Sequence, residues 1–311
     1  MSGQAKTHTA QHAVPASSLV LVGILTLVWG CNWPVLKTGV TELEPLTFRA
    51  ATLGFAALGL MLVSKLSGES IRIPRRFWLH LAILALFNIT AWNAFILFGV
   101  QQMPAGRSAI LAYTMPMWGV LFSLWLLHEP LSGRKLVGLA LGMGGMAVLL
   151  GDEIAHVRRA PVGAILIICA SVSWGFGTVL LRRWTPQVAQ NTLTGWMLLL
   201  GWIPILIAAP LFDPHAAASL AAMSPKTWFA VIYNIFFAGT LAHWAWFRMA
   251  RTLPVAVSSL SSLPVPVVGV FSSMLFLGER PGLSEFVALA LVLASLAAVM
   301  FPERRRNATT R

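Results

Sequence analysis

Charged residues are scarce in this chain. Asp, Glu, Lys and Arg together make up 10% of its 311 residues, whereas 57% of the residues are hydrophobic and the mean hydropathy is +0.77. A water-soluble globule of this length needs a polar surface that so few charges cannot supply. The composition therefore excludes a soluble protein and indicates one whose solvent is the membrane.

Cysteine and deeply placed acids are also missing. Only Cys31 and Cys169 occur, so neither a disulfide framework nor a zinc site is expected. No Asp or Glu lies deep within a predicted span, which leaves no obvious seat for carboxylate-based proton or sodium coupling. The connections run to about a dozen residues, too short for a soluble catalytic domain. We expect no cofactor and no enzymatic activity.

The uncharged stretches predict the number of membrane spans. Ten gaps of 15 or more residues contain no Asp, Glu, Lys or Arg, and a membrane-spanning helix needs roughly 17 to 25 residues. The sequence therefore predicts an all-α membrane protein with ten transmembrane helices. The gaps are 7–36, 50–64, 77–106, 108–128, 136–151, 160–181, 184–212, 227–247, 252–278 and 286–302.

The net charge of +12 comes from short connections between the spans, so we interpret it as a signal of orientation and not of nucleic-acid binding. With the N-terminus in the cytoplasm, 15 of the 22 Lys and Arg residues fall on the cytoplasmic side. This predicts a multi-pass protein of the bacterial inner membrane, with a cytoplasmic tail at 1–17 and a basic cytoplasmic tail at 302–311.

The chain repeats itself. A shift of 150 residues aligns residue types that chance seldom pairs in one register, and near the start of each half the shift becomes 145. Five spans per copy is an odd number, so the second copy enters the bilayer inverted. We predict two inverted five-helix repeats, 18–151 and 161–301. The pairs at 150 include Pro104 with Pro254, Pro116 with Pro266, and Glu129 with Glu279.

This pattern resembles the EamA-type members of the drug/metabolite transporter superfamily. The resemblance rests on a Trp-Gly element in the first helix of each half (Trp29-Gly30 and Trp174-Gly175), a Pro in each fourth helix, and the Glu that ends it. It implies ten helices in two five-helix halves, the drug/metabolite transporter fold. It also implies a metabolite carrier, often an amino-acid exporter, with Tyr113 and Trp174 among its cavity aromatics.

Helix 1 carries a candidate site. Trp29, Asn32 and Trp33 share one face of the helix, and Asn32 is costly to expose to lipid. We expect these residues to line a substrate cavity and Pro34 to break the helix. The alternative is that the Trp residues pack or sit at the interface and that Asn32 bonds to another helix.

Helices 3 and 8 place Trp92, Asn93 and His243 at mid-span, where Asn93 and His243 are repeat partners. We predict that all three bind substrate. His243, like His80, is also a candidate proton carrier because imidazole titrates near neutral pH. A hydrogen-bonded structural role is the alternative for His243.

Helices 4 and 9 contain prolines that can interrupt them and free backbone carbonyls: Pro116, Pro264 and Pro266. Ser259 and Ser262 are further substrate-binding candidates, although serines also let helices pack closely. Arg49 enters helix 2 from its outer end. We expect it to snorkel or to pair with Glu42 or Glu44, and binding a substrate carboxylate is the alternative.

The sequence thus predicts an alternating-access carrier that exports small polar metabolites, above all amino acids, through a cavity between its halves. A facilitative exporter is the simpler expectation, with proton coupling through histidine as the other. An exporter of hydrophobic or cationic drug-like compounds is the alternative function. The expected partners are the substrate and the lipid bilayer, and no oligomer is required.

Overall fold

The computed structural model describes residues 16–157, 161–184, 187–246 and 264–300, and within these ranges the regular secondary structure is helical. A short helix, Ala216–Ala221, lies between α7 and α8. The main helices are α1 Ala16–Glu42, α2 Pro45–Leu66, α3 Arg75–Gln102, α4 Ala105–Leu126, α5 Gly133–Val157, α6 Val162–Trp184, α7 Gln190–Phe212, α8 Pro225–Trp246, α9 Pro264–Leu277 and α10 Leu283–Met300.

The first eight helices are each long and apolar enough to cross a membrane. The described parts of α9 and α10 are apolar but shorter. The ninth predicted span begins at residue 252, and residues 252–263 lie outside the described ranges. The fold is that of an all-helical membrane protein, as predicted, and the ten main helices of the described ranges form two inverted halves of five.

The helix contacts follow the internal repeat: when each helix is replaced by its counterpart in the other half, the same set of contacts results. α2 packs against α7, and α5 packs against α10. α1 crosses α9, and its counterpart α6 crosses α4. Likewise α3 packs on α6, and α8 packs on α1. The α2–α7 and α5–α10 pairs thus map onto themselves, and each of the other contacts occurs twice, as expected of an inverted repeat.

The Trp-Gly elements have a packing role in these crossings. A Cβ atom at Gly30 would lie 2.5 Å from Val268 Cβ of α9. One at Gly175 would lie 2.8 Å from Trp118 Cβ and 2.9 Å from the backbone nitrogen of Gly119 in α4. Protein interiors leave no room for such overlaps. Glycine thus lets the first helix of each half approach the fourth helix of the other.

Three helices depart from α geometry at mid-length. α3 contains a π-helical segment at Leu86–Ala91, and α8 contains one at Tyr233–Leu241. α4 is interrupted at Tyr113 and Thr114, just before Pro116, whose ring and missing N–H favour the start of a new helix. Such irregular turns free backbone groups at membrane depth, where they need partners.

Pro34 does not break α1, so that prediction was wrong. The helix runs without interruption from Ala16 to Glu42. The carbonyl of Gly30, four residues before the proline, accepts a hydrogen bond at 3.4 Å from Ser272 Oγ of α9. The same hydroxyl also lies 3.1 Å from the carbonyl of Gly269 in its own helix, so it is a shared donor for both carbonyls. It offers Gly30 a partner in place of the N–H that proline lacks, and the helix continues past Pro34.

Candidate functional site

A cavity of about 170 Å³ lies in the middle of the bundle, between the two halves. Both halves contribute to its wall, through α1 to α4 and through α6 to α8. The lining consists of aromatic and aliphatic side chains with a few polar groups among them. Its members are Trp29, Asn32, Trp33, Leu36, Arg49, Thr52, Leu53, Ala56, Ile89, Trp92, Asn93, Ile96, Tyr113, Met115, Trp174, Leu198, Asn234, Ala238, Gly239 and His243.

Two groups of aromatic rings form much of this wall. The rings of Trp92 in α3 and Trp174 in α6 lie 5.0 Å apart between centroids. Trp29 of α1 packs edge-on against His243 of α8 at 5.6 Å and against Trp246 at 6.0 Å. Each group joins one half to the other. Aromatic pairs of this geometry contribute about 0.5–1.5 kcal/mol beyond their buried area.

The π segment of α8 supplies a carbonyl that orients this aromatic wall. The oxygen of Ala238 accepts hydrogen bonds from Trp29 Nε1 at 3.3 Å and from His243 Nδ1 at 3.0 Å. A carbonyl can only accept, so Nδ1 of His243 carries the proton. Backbone freed by the irregular turn therefore holds two cavity side chains in place.

Two asparagines bring amide groups to the cavity. Asn93 Nδ2 donates to the carbonyl of Ile89 at 2.8 Å, one turn earlier in α3. Asn32 is different, because its buried Oδ1 has no hydrogen-bond partner. An unpartnered buried acceptor costs free energy unless a ligand or water satisfies it.

Arg49 is the positive charge of the cavity. Its side chain is buried, with 7% of the residue exposed, and its Nη1 donates to Asn234 Oδ1 of α8 at 3.0 Å. Asn234 is itself anchored by a 3.0 Å bond from Nδ2 to the carbonyl of Ala230. The Nε of Arg49 is buried and has no partner. The guanidinium is thus held at one nitrogen and left open at another.

The expectation that Arg49 snorkels or pairs with Glu42 or Glu44 was wrong. Arg49 neither snorkels nor pairs with a carboxylate: Glu42 instead accepts bonds from the backbone N–H and the hydroxyl of Ser224, and Glu44 is exposed. The burial of Arg49 follows from its turn of α2, which packs against α8. Asn234 was missed altogether, because its partner under the 150-residue shift is Leu84, which gave no polar signal.

The structure brings most of the predicted site residues to this one cavity, from five helices. Ser259 and Ser262 lie outside the described residues. Residues 247–263, which come before Pro264 and Pro266, also lie outside the described residues. That these prolines interrupt the ninth span therefore stays a prediction. Those in the cavity wall are Trp29, Asn32, Trp33, Trp92, Asn93, Tyr113, Trp174 and His243.

The carbonyls freed near Pro116 are already occupied. Ser171 Oγ of α6 donates to the carbonyls of Leu111 and Ala112 at 3.2 and 3.0 Å, and Thr114 Oγ1 donates to Leu111 at 2.7 Å. They serve helix packing. Of the two candidate proton carriers, His243 is in the cavity wall, whereas His80 lies at the start of α3, where it stacks on Phe77 and meets Trp184 edge-on.

Beyond the cavity, the bundle has two ends, which we name after their glutamates. At the Glu279 end, where α1, α3 and α9 finish, the Glu279 carboxylate accepts from the backbone N–H groups of Ala105 and Gly106 at 2.6 and 3.0 Å. A carboxylate at this position caps the N-terminus of α4 and complements its dipole. It also ties the second half to the first.

Arg107 adds further contacts between the halves at the Glu279 end. Its guanidinium pairs with Glu285 of α10, and it pairs with Asp152 of α5 at 2.7 Å. All three side chains are largely buried, with 12%, 11% and 20% of the side chain exposed. The ion network therefore joins three helices from both halves at the Glu279 end.

The Glu129 end, where α4 and α6 finish, has a looser pair. Glu129 accepts from Arg182 Nη2 of α6 at 2.5 Å and from Lys135 at 3.3 Å. The Arg182 side chain is 57% exposed. Partial burial raises the pKa of Glu129, but Arg182 and Lys135 lower it by more, and the pKa lies below its usual value.

A model of the EamA-like transporter family matches the chain twice, over residues 16–151 and residues 161–301. The chain belongs to the EamA-like transporter family. The resemblance found in the sequence is thereby confirmed. In this EamA-like transporter the two matches correspond to the two halves that enclose the cavity.

Relatives of this EamA-like chain carry transporter names. An uncharacterized transporter, YoaV of Bacillus subtilis, is 23% identical over 93% of this chain and 99% of its own length. A probable amino-acid metabolite efflux pump of Escherichia coli K12 is 27% identical over 93% and 96%. The uncharacterized inner membrane transporter YedA of the same strain is 28% identical over 90% and 91%. The chain is therefore a multi-span membrane transporter.

The fold of this EamA-like transporter also matches a solved crystal structure. That protein is 20% identical to this chain, with a TM-score of 0.67, and the match covers 96% of this chain and 100% of the other. At this level of identity, the likeness bears on the fold alone.

Proposed function

We propose that this transporter exports amino acids by alternating access, with the central cavity as the substrate site. The observation that carries the proposal is a cavity between two inverted halves, walled by tryptophans and asparagines, in which the buried Oδ1 of Asn32 has no hydrogen-bond partner among the described residues. A relative named a probable amino-acid metabolite efflux pump supports the substrate class.

The size of the cavity favours a small substrate. Its volume of about 170 Å³ is below the roughly 300–1,000 Å³ of pockets for drug-sized ligands. Its aromatic rings suit an apolar side chain, and its amides suit the polar groups of an amino acid.

The cavity also bears on energy coupling. No Asp or Glu is among the described residues that line it, so a carboxylate that could carry a coupling proton or cation is missing from that wall. We infer facilitative export down a substrate gradient. His243 remains the candidate if a proton gradient proves to drive transport.

For the moving parts, we propose the two repeats, 18–151 and 161–301, rocking about the cavity. The excess of Lys and Arg in alternate connections supports cytoplasmic termini in the inner membrane. Under that orientation the Glu279 end faces away from the cytoplasm.

A drug exporter is the second candidate, favoured by the tryptophan-rich wall, which suits apolar cations. The guanidinium of Arg49 weighs against it. A second positive charge in a cavity of low dielectric would be repelled by the first.

The deciding experiment is efflux from proteoliposomes that contain the purified full chain. Vesicles are loaded with single radiolabelled amino acids, and release is followed with and without an imposed pH gradient. We expect saturable release of a subset of amino acids, unaffected by the gradient. Release of a fluorescent lipophilic cation and of no amino acid would overturn the proposal in favour of the drug exporter, and acceleration by the gradient would replace facilitative export with proton coupling.

Trp174→Ala tests the aromatic wall. We expect KM for aromatic amino acids to rise about 2- to 12-fold, because the contact contributes roughly 0.5–1.5 kcal/mol. Trp125→Ala is the matched control, since Trp125 lies on α4 with 69% of its surface exposed. Unchanged kinetics in a folded Trp174→Ala protein would remove that residue from the site.

A further inference from the structure

Arg49 lies at a position where an unpaired charge costs free energy. It lies in the second turn of α2, inside a membrane-spanning helix, and it is buried. A cation in such a place is normally paired with an acid or faces a cavity. In the described part of the chain, no carboxylate forms an ion pair with it.

Two acids at the same end of the bundle as Arg49 are engaged elsewhere, and a third, Glu44, is exposed. Glu42, at the end of α1, binds Ser224. Asp213, at the end of α7, accepts from Thr47 Oγ1 at 2.9 Å and from the backbone N–H of His215 at 3.0 Å. The counter-charge of Arg49 must therefore come from another source.

Because Arg49 is part of the cavity wall, a ligand bound in the cavity can supply this counter-charge. The bond from Nη1 to Asn234 Oδ1 holds one end of the guanidinium, and the bond from Asn234 to Ala230 anchors Asn234 in turn. The unpartnered Nε–H then remains as a charged donor of set direction. Such a donor suits a carboxylate oxygen, which forms short charge-assisted bonds with guanidinium.

The same wall has an unmet acceptor in Asn32 Oδ1. An anionic acceptor and a cationic donor on one small molecule would satisfy both protein groups. An α-amino acid in its zwitterionic form carries both, with a side chain free to meet the tryptophans. A lone amine would satisfy Asn32 and be repelled by Arg49.

We propose that Arg49, positioned by Asn234, is the carboxylate subsite of the cavity, and that Asn32 receives the substrate ammonium group. This assignment rests on the proposed function and names the chemical feature that the transporter selects: a free carboxylate. Amino-acid amides, esters and decarboxylated amines are excluded as substrates.

The test compares leucine with two analogues that each lack one charged group. Isocaproate keeps the carboxylate and lacks the amine, and isoamylamine keeps the amine and lacks the carboxylate. Binding of each to the purified full chain is measured by the rise in thermal unfolding temperature, since a ligand that binds the folded state stabilises it. We expect leucine to bind best, isocaproate more weakly and isoamylamine not at all.

Variants then locate the carboxylate. Arg49→Gln should weaken leucine and isocaproate binding about 10- to 100-fold, the effect of losing one charge-assisted bond. Arg49→Lys should lose less, because the charge remains. Arg72→Gln is the control, as Arg72 is exposed at the other end of the bundle. Asn32→Ala should weaken leucine and leave isocaproate unchanged.

The outcomes separate this inference from the proposed function. Amino-acid efflux that persists with unchanged KM in Arg49→Gln overturns the carboxylate subsite and leaves the export function standing. Isocaproate binding that depends on Arg49, in a protein that releases no amino acid, supports the subsite and overturns the amino-acid assignment. If Arg49→Gln fails to fold, wild-type binding decides: isoamylamine bound as well as isocaproate refutes the subsite.

Discussion

At the Glu279 end, the carboxylate after α9 binds backbone amides of the opposite half, whereas at the Glu129 end its repeat partner binds two basic side chains. The basic residues differ in the same way. Lys37, late in α1, donates to the carbonyls of Val100, Gln101 and Met103, while its counterpart Arg182 pairs with Glu129.

Equivalent residues in the two halves are thus satisfied by different partners. At one end they bind the termini of helices, in a buried setting that also contains the Arg107 network. At the other end they bind each other in partial contact with solvent. Among the described residues, the contacts at the Glu279 end are the more deeply buried ones. A difference of this kind between sequence-related ends is what a carrier that opens one end at a time requires.

Arg107→Gln tests this difference most strongly. It leaves Glu285 and Asp152 buried without their cation, and we expect a loss of about 3–5 kcal/mol in the free energy of unfolding. Denaturant titration in mixed micelles measures it. Arg182→Gln is the matched change at the exposed pair, where we expect about 1 kcal/mol or less. Equal losses would contradict the view that the ends differ in strength.

The crossing of α1 with α9 at Gly30 and that of α6 with α4 at Gly175 should differ less in their contribution to the free energy of unfolding. Gly175→Ala places a methyl group against backbone atoms of α4, which cannot move aside, whereas Gly30→Ala mainly meets the Val268 side chain. We expect about 1–3 kcal/mol of destabilisation for each, larger at Gly175. Gly23→Ala is the control, because no atom lies within 4 Å of the position that its new methyl group would take; helix propensity should then make it neutral or stabilising. A larger loss at Gly30 would reverse our ranking of the crossings.

The smallest effect belongs to Glu129→Gln, which we expect to cost about 1 kcal/mol or less and to shrink as salt is added. Because the folded pKa of Glu129 lies below its usual value, its stabilisation is complete above the unfolded pKa of about 4.3. It is lost as the pH falls through the folded pKa. The difference in stability between wild type and variant, measured from pH 7 downward, should vanish in acid. A difference that persists there would assign the effect to packing.

The charge gaps and the internal shift were enough to predict the helical fold and its division into halves. They also singled out the Trp-Gly and Glu elements, but the contacts that these elements make between the halves came only from the structure. Mid-span positions also selected Trp29, Asn32, Trp92 and Asn93 of the cavity wall, because amides are costly to expose to lipid. The resemblance added Trp174, and Asn234 was missed. The burial of Arg49 could not be predicted in this way. A charge near the start of a helix is expected to snorkel when its neighbours across the bundle are unknown.

Contacts between distant segments could not be predicted either. Arg107 meets partners 45 and 178 residues away, on two other helices. The hydroxyl of Ser272 that lets α1 continue past Pro34 comes from the opposite half. Such pairings depend on how helices rotate about their axes, which hydrophobic patterning in a membrane constrains only weakly.

The π segments of α3 and α8 also indicate how the two halves of the protein arose. The shift of 150 residues places Leu86–Ala91 of α3 onto 236–241, the last part of the segment in α8, and Asn93 and His243 each follow two residues later. A wide turn at the same point in both copies is most economically a single ancestral event, older than the gene duplication. The ancestor was then a five-helix protein that already carried this turn. Two residues after the turn, α3 carries an amide and α8 an imidazole, so the two copies differ in side chain at the cavity wall where their backbones agree.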